Sequence, residues 1–298
     1  MRISQRIAEH VREGCERPPY ADAVRVVSVL SLKGGVGKTT VTLGLAGAAA
    51  ARGLRTLLID LDPQANATVV LDPPTVEFTT NDVLADGRAG VLAQAITHSN
   101  WGENVDLVAS ERSLEHRAVP EGEGALRLRV TMQGIQGYDL VLLDTPPALG
   151  ELTRNALAAS DLALVVTEPS LFALQGASQA VEAVEVMRAY NLRLRLAGIV
   201  VNRVRPVSAE HRYRLAELAL AYGDTLLQPA LPDRSVVQQA AGACTPVQEW
   251  RTQAGRDVAR IFDGYLERVL QAPGDTPSLT GSPARSGAAA DRPGRGGA

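Results

Sequence analysis

Lysine is almost absent from this chain of 298 residues: among 30 basic residues only Lys33 and Lys38 are lysine, and the rest are arginine. Both fall within Lys33 to Thr40. A sequence that uses guanidinium everywhere else keeps ammonium groups where a compact three-donor cation is needed. Cysteine is as sparse, and Cys15 and Cys244, far apart and without histidine partners, make neither a disulfide framework nor a metal site. They also leave no cysteine pair for an iron–sulfur cluster. No apolar run approaches the roughly 18 residues that span a bilayer. The opening Met1-Arg2-Ile3-Ser4-Gln5-Arg6 lacks the apolar stretch of a signal peptide, so a cytoplasmic protein is expected.

What is present is the profile of a globular domain, with 45% hydrophobic residues, 21% charged residues and a net charge of −3. The length suits one domain of about 250 residues with tails. Acidic residues dominate residues 1–190, and the basic excess lies in 191–270, which argues for a local basic patch and against a coat for nucleic acid. In residues 1–22, Ile3, Ile7 and Val11 form a stripe at helical spacing that stops at Pro18-Pro19, the pattern of a short helical arm. Residues 272–298 are Pro, Gly, Ala, Ser and Arg with little to bury, and are expected to be disordered.

Between these ends, 23–271, short apolar runs alternate with helical patterns. The runs are Val24 to Leu30, Thr56 to Asp60, Val105 to Ala109, Tyr138 to Asp144, Leu162 to Thr167, Ala197 to Val201 and Thr225 to Leu227. Several are continuous rather than alternating, as in strands covered on both faces. Helices are expected at Thr39 to Arg52, Leu149 to Ala159, Gln175 to Tyr190, Ala209 to Ala221 and about Arg256 to Leu270. The order predicts an α/β fold: a mostly parallel β-sheet flanked by helices on both faces, with ligands at the carboxyl ends of the strands.

The two lysines sit in Leu32-Lys33-Gly34-Gly35-Val36-Gly37-Lys38-Thr39-Thr40, between the first strand and an Ala-rich helix. This is a phosphate-binding loop, although Leu32 stands where the ordinary pattern has glycine. Its glycines let backbone N–H groups wrap phosphates, Lys38 reaches the β- and γ-phosphates, and the Thr39 hydroxyl is placed for Mg²⁺. Asp60 and Asp62, two apart near a strand end, are expected to point the same way, toward the phosphates. Asp144 closes a buried strand ahead of Thr145-Pro146-Pro147, as a magnesium-holding carboxylate and γ-phosphate sensor would.

Lys33-Gly34-Gly35-Val36-Gly37-Lys38-Thr39-Thr40 resembles the deviant Walker A box of the ParA/MinD family of P-loop ATPases, and the likeness extends over about residues 25 to 270. The resemblance implies ATP and Mg²⁺ as cofactors and a homodimer that sandwiches ATP, with Lys33 reaching the partner's phosphates as an arginine finger would. The P-loop NTPase fold is implied with it. Leu57 to Asn66 is similar to the stretch in which Asp62 orients the attacking water and Asp60 supports the metal shell, with Ala65 where glycine is common. Asn202 and the Pro232 loop occupy the positions that recognise adenine.

Among functions, the resemblance points to a ParA-type partition ATPase moving plasmid or chromosome. Such a protein binds double-stranded DNA nonspecifically, lies on the nucleoid when ATP-bound, and is stimulated by a ParB-like adaptor. Arg203, Arg205 and Arg234 are the candidate DNA contacts, although the family's usual arginine falls on Val236. No stable membrane association is expected, since the chain's end carries no large apolar anchor. MinD-like or orphan positioning on a protein cargo or membrane, and small-molecule phosphotransfer or ligation on the same fold, remain the alternatives.

Overall fold

The computed structural model describes residues 24–118 and 126–272. The expected arm and, past residue 272, the expected tail lie outside the described residues. The chain runs β1 (Arg25–Leu30), α1 (Lys38–Ala51), β2 (Thr56–Asp60), α2 (Asn66–Leu71), α3 (Thr80–Asp86), β3 (Ile96–His98), β4 (Val105–Val108), α4 (Arg127–Thr131) and β5 (Leu140–Asp144). It continues through α5 (Glu151–Ala159), β6 (Leu162–Thr167), α6 (Ala173–Met187), β7 (Arg195–Val201), α7 (Ala209–Tyr222), α8 (Ser235–Gly242) and α9 (Gln253–Gln271).

The strands form one sheet in the order β3-β4-β2-β5-β1-β6-β7, parallel throughout except that β3 runs antiparallel to β4. Both faces are apolar, and successive residues of a strand serve opposite layers. In β5, Leu140 and Leu142 face the layer that holds α1 and α9, while Val141 and Leu143 face the other. That is why these runs read as continuous rather than alternating.

Gly44 sets how closely α9 approaches α1, and Gly47 how closely the 3-10 turn Val247–Glu249 does. A Cβ on Gly44 would stand 2.2 Å from the Phe262 ring, and one on Gly47 would stand 2.1 Å from Gln248 Oε1. Val258, Phe262, Tyr265, Leu266, Val269 and Leu270 are the buried stripe of α9, so its apolar face is spent on the domain's own core. Among the described residues, no helix is long and apolar enough to cross a membrane.

One expected strand segment differs. Thr225 to Leu227 is not a strand: Gly223–Thr225 is a 3-10 turn, and only Leu226 bridges to Ile199. The Pro232 loop gives a second isolated bridge, Val204 to Pro232. Pro229 and Pro232 lack the N–H that a ladder needs. Conversely, the three-residue β3 was not expected, because so short a segment has no periodicity to read.

Candidate functional site

The loop between β1 and α1 carries Gly35 at φ 78° and Gly37 at φ 97°, left-handed values that glycine adopts without penalty. Gly37 is also the cap position of α1, and neither a capping side chain nor a first-turn acid satisfies the helix start. The free N–H groups and the helix dipole therefore face the loop, an anion site made by the backbone. A cavity of about 430 Å³ opens there, lined by Gly35, Gly37, Lys38, Thr39 and Thr40 at one end and by Leu43, Val69, Trp101, Val237 and Ala240 farther along.

Lys38 is buried. Burial lowers its pKa, and the charges of Asp144 and Asp62 act against that shift. Asp144, fully buried at the end of β5, accepts from Thr39 Oγ1 at 2.7 Å and from Thr42 Oγ1 at 2.9 Å. Burial pushes its carboxyl up to about 6, while the two threonine hydroxyls and the Lys38 charge hold it down. Thr42 was not anticipated, although it lies one helical turn after Lys38 on the same face of α1.

The two carboxylates expected to act together are separated. β2 ends at Asp60, so Asp62 lies beyond the strand and the alternation argument does not reach it. Asp62 lines the cavity and accepts the Gln64 N–H at 3.0 Å. Asp60 sits opposite Asp144 in the register and is fully buried. It accepts from Asp62 N at 3.0 Å, Thr68 N at 2.9 Å and Thr68 Oγ1 at 2.8 Å. Burial first, and the Asp144 charge second, raise its carboxyl to about 7. Asp60 therefore ties the turn carrying Asp62 to the first residues of α2.

Lys33 faces away from this cavity. Its Nζ is 2.5 Å from Glu168 Oε1 and 3.4 Å from Ser170 Oγ, on the loop after β6. Gly34 lies beneath Pro147 of the Thr145-Pro146-Pro147 turn, and Thr145 Oγ1 donates to Val29 O at 2.8 Å. Leu171 and Phe172 follow Ser170 and are exposed.

Asn202 lies under the loop. Its Nδ2 donates to Val36 O of the loop at 2.8 Å and its Oδ1 accepts the N–H of its own neighbour Arg203 at 2.8 Å, so both ends of the amide are engaged. Pro232 is not among the cavity's lining residues, whereas Arg203 is. Arg205 is paired with Asp233 at 2.6 Å, and Arg234 is the cap position of α8. The expected DNA-contacting trio is thus divided among a cavity wall, an ion pair and a helix start.

An uncapped helix after a glycine loop, a buried carboxylate on the adjacent strand and a parallel sheet of this order define a P-loop nucleoside triphosphatase. The family model described as AAA_31, an AAA domain, matches residues 24–196. Over 236 residues, the chain is 32% identical to the chromosome partitioning protein ParA of Caulobacter vibrioides, covering 76% of this chain and 87% of that one. The chain belongs to the ParA-type family of P-loop ATPases. Among solved structures it resembles Cyanothece McdA without nucleotide, with TM-score 0.71, 22% identity and coverage of 83% and 99%. It also resembles cobyrinic acid a,c-diamide synthase of Mycobacterium smegmatis with bound ADP and magnesium, with TM-score 0.64, 26% identity and coverage of 77% and 96%.

Proposed function

We propose that the chain is a partition-type ATPase that closes around ATP as a homodimer, binds duplex DNA without sequence preference in that state, and is reset by a ParB-like adaptor that stimulates hydrolysis. The observation that carries this reading is the opposed orientation of the two lysines. Lys38 is buried beside Asp144, and Lys33 stands on the outer face at Glu168. Lys38 would grip the subunit's own phosphates, with Gly34, Gly35, Val36, Gly37 and Thr40 supplying the backbone cradle. Lys33 would offset the charge that develops on the partner's nucleotide.

The donor set fits a magnesium–nucleotide complex. Mg²⁺ takes few protein ligands beside phosphate and water, and the Thr39 hydroxyl and the Asp144 carboxylate already meet at hydrogen-bond distance. When bound, the metal would neutralise charge on the β- and γ-phosphates. Asp62, at the cavity wall, would orient the attacking water, and Asp60 would support that turn from behind. Arg205 and Arg234 remain the proposed DNA contacts, with the nucleoid as the site of the ATP-bound dimer.

The test is the Asp62→Ala protein with ATP: light scattering should give twice the monomer mass, and random duplex DNA should be retained at low salt and released steeply as salt rises. A monomer at saturating ATP, or a dimer that ignores DNA, removes the reading. The likeness to a diamide synthase supports a second one, ATP-dependent activation of a small carboxylic acid. A stoichiometric phosphorylated or amidated product in place of free phosphate would favour it.

A further inference from the structure

We propose that Ser110 is a positioning residue for ATP hydrolysis: its hydroxyl fixes the turn that carries Asp62 against the end of β4, and so aims a carboxylate to which Ser110 makes no hydrogen bond. The inference rests on the reading above, in which Asp62 orients the attacking water, and adds the residue that holds Asp62 in place. In the pairing of β2 with β4, Val108 stands opposite Ile59, so Ser110 runs on beside the turn that follows Asp60. It is buried, and it is not among the residues that line the cavity, whereas Asp62 is. The Thr80 hydroxyl donates to Asp60 O at 2.8 Å and lies 3.2 Å from Ala109 O, which knits the two strand ends together just before them.

The hydrogen bonds close into a ring. Asp62 N donates to Asp60 Oδ1 at 3.0 Å, and Ser110 Oγ donates to Asp62 O at 2.8 Å, so both backbone polar atoms of Asp62 are anchored. Thr68 joins the two anchors, because its Oγ1 donates to Asp60 Oδ2 at 2.8 Å and accepts Ser110 N–H at 2.9 Å. The anchors differ in kind. Asp60 belongs to the same stretch of chain as Asp62, whereas Ser110 comes from a neighbouring strand, 48 positions on. The turn itself is local: Ala65 N donates to Asp62 O at 2.8 Å and Gln64 N to Asp62 Oδ1 at 3.0 Å. Without the serine hydroxyl, Asp62 O keeps a partner and the turn keeps its own bonds. What is lost is the tether that fixes the turn relative to β4. Misplacing a catalytic group by about 1 Å costs about a hundredfold in rate, so this tether matters more to the reaction than to the fold.

The experiment compares Ser110→Ala with the wild type and with Asp62→Ala in magnesium buffer. Phosphate release gives turnover, and calorimetric titration gives affinity for ATP, for ADP and for ADP with aluminium fluoride, a mimic of the phosphoryl group in transfer. Ser110→Ala should bind ATP and ADP within about twofold of the wild type, while turnover and affinity for the aluminium fluoride complex both fall by about tenfold to a hundredfold. In the Asp62→Ala background the same substitution should weaken that complex no further, because the group the serine positions is already gone. Thr68→Val, which removes the hydroxyl that accepts Ser110 N, should reproduce the loss, and Thr68→Ser should not. The proposal is overturned if Ser110→Ala turns over ATP like the wild type, if it weakens all three ligands alike, as a packing defect would, or if it costs as much in Asp62→Ala as in the wild type. Should Ser110→Ala fail to fold, equal turnover in Thr68→Val and Thr68→Ser overturns it. An Asp62→Ala protein that hydrolyses ATP normally would overturn the reading of Asp62 instead, and a wild type that does not bind ATP would overturn the nucleotide reading.

Discussion

Removing the buried charge of Asp144 should stabilise the nucleotide-free protein, and only above mildly acidic pH. Asp144 is fully buried, and its carboxyl is raised from 3.8 to about 6. The folded state therefore holds a proton that the unfolded chain has released between those values. Stability contributed by the protonated form is complete below about pH 4 and is lost as pH rises through about 6. The interval is worth about 3 kcal/mol by linkage. Asn at this position keeps the contacts, because the Thr39 hydroxyl can rotate to accept from the amide. It also removes the negative charge that helps raise Asp60.

In magnesium-free buffer without nucleotide, Asp144→Asn should melt like the wild type near pH 4. At pH 8 it should melt higher by about 5 to 10 °C for a domain of this size. Circular dichroism melts at half-unit pH steps give the curves directly. Magnesium and ATP should erase the wild type's loss, since a cation beside Asp144 favours the ionised carboxyl. Parallel curves for the two proteins, or a wild type that gains on Asp144→Asn as pH rises, would refute the reasoning.

Glu168→Gln removes the ion pair that holds Lys33, and because that pair is partly exposed its melting temperature should stay within about 2 °C of the wild type. If Glu168 restrains Lys33, sedimentation velocity should show ATP-dependent dimers at a lower protein concentration than the wild type needs. Gly44→Ala should cost about 1 to 3 kcal/mol by driving a methyl into Phe262, and Gly44→Ala with Phe262→Leu should recover part of it in urea denaturation. Gly37→Ala, at φ 97° and with its Cβ 2.1 Å from Asn202 Nδ2, should leave a folded chain that no longer retains ATP on equilibrium dialysis.

The phosphate loop was legible in the sequence because its backbone demands glycine at fixed spacing, and Asp144 because a continuous apolar run pointed to it. Lys33 stands out through a composition that otherwise avoids lysine. The shared direction of Asp60 and Asp62 was misread because where β2 stops is decided by its pairing with β5, which no local pattern records. That Arg203 borders the cavity while Pro232 does not was unreadable for a related reason. Which of two adjacent residues enters a cavity depends on one backbone angle, and an arginine at φ 58° is selected by tertiary contacts against its own preference. The wall formed by Val69, Trp101 and Val237 brings together segments distant in the chain, so no window of sequence contains it.

The closeness of α1 and α9 has a consequence for how the protein comes into being. The helix that begins at Lys38 is made well before the partner that covers its outer face at Gly44, the last of the described helices. Until that segment emerges, the nascent chain carries a complete glycine loop on a helix whose Gly44 side lacks its cover. Nucleotide capture therefore waits on the segment that carries Phe262, and a product cut before it should reach neither a finished core nor a working phosphate site.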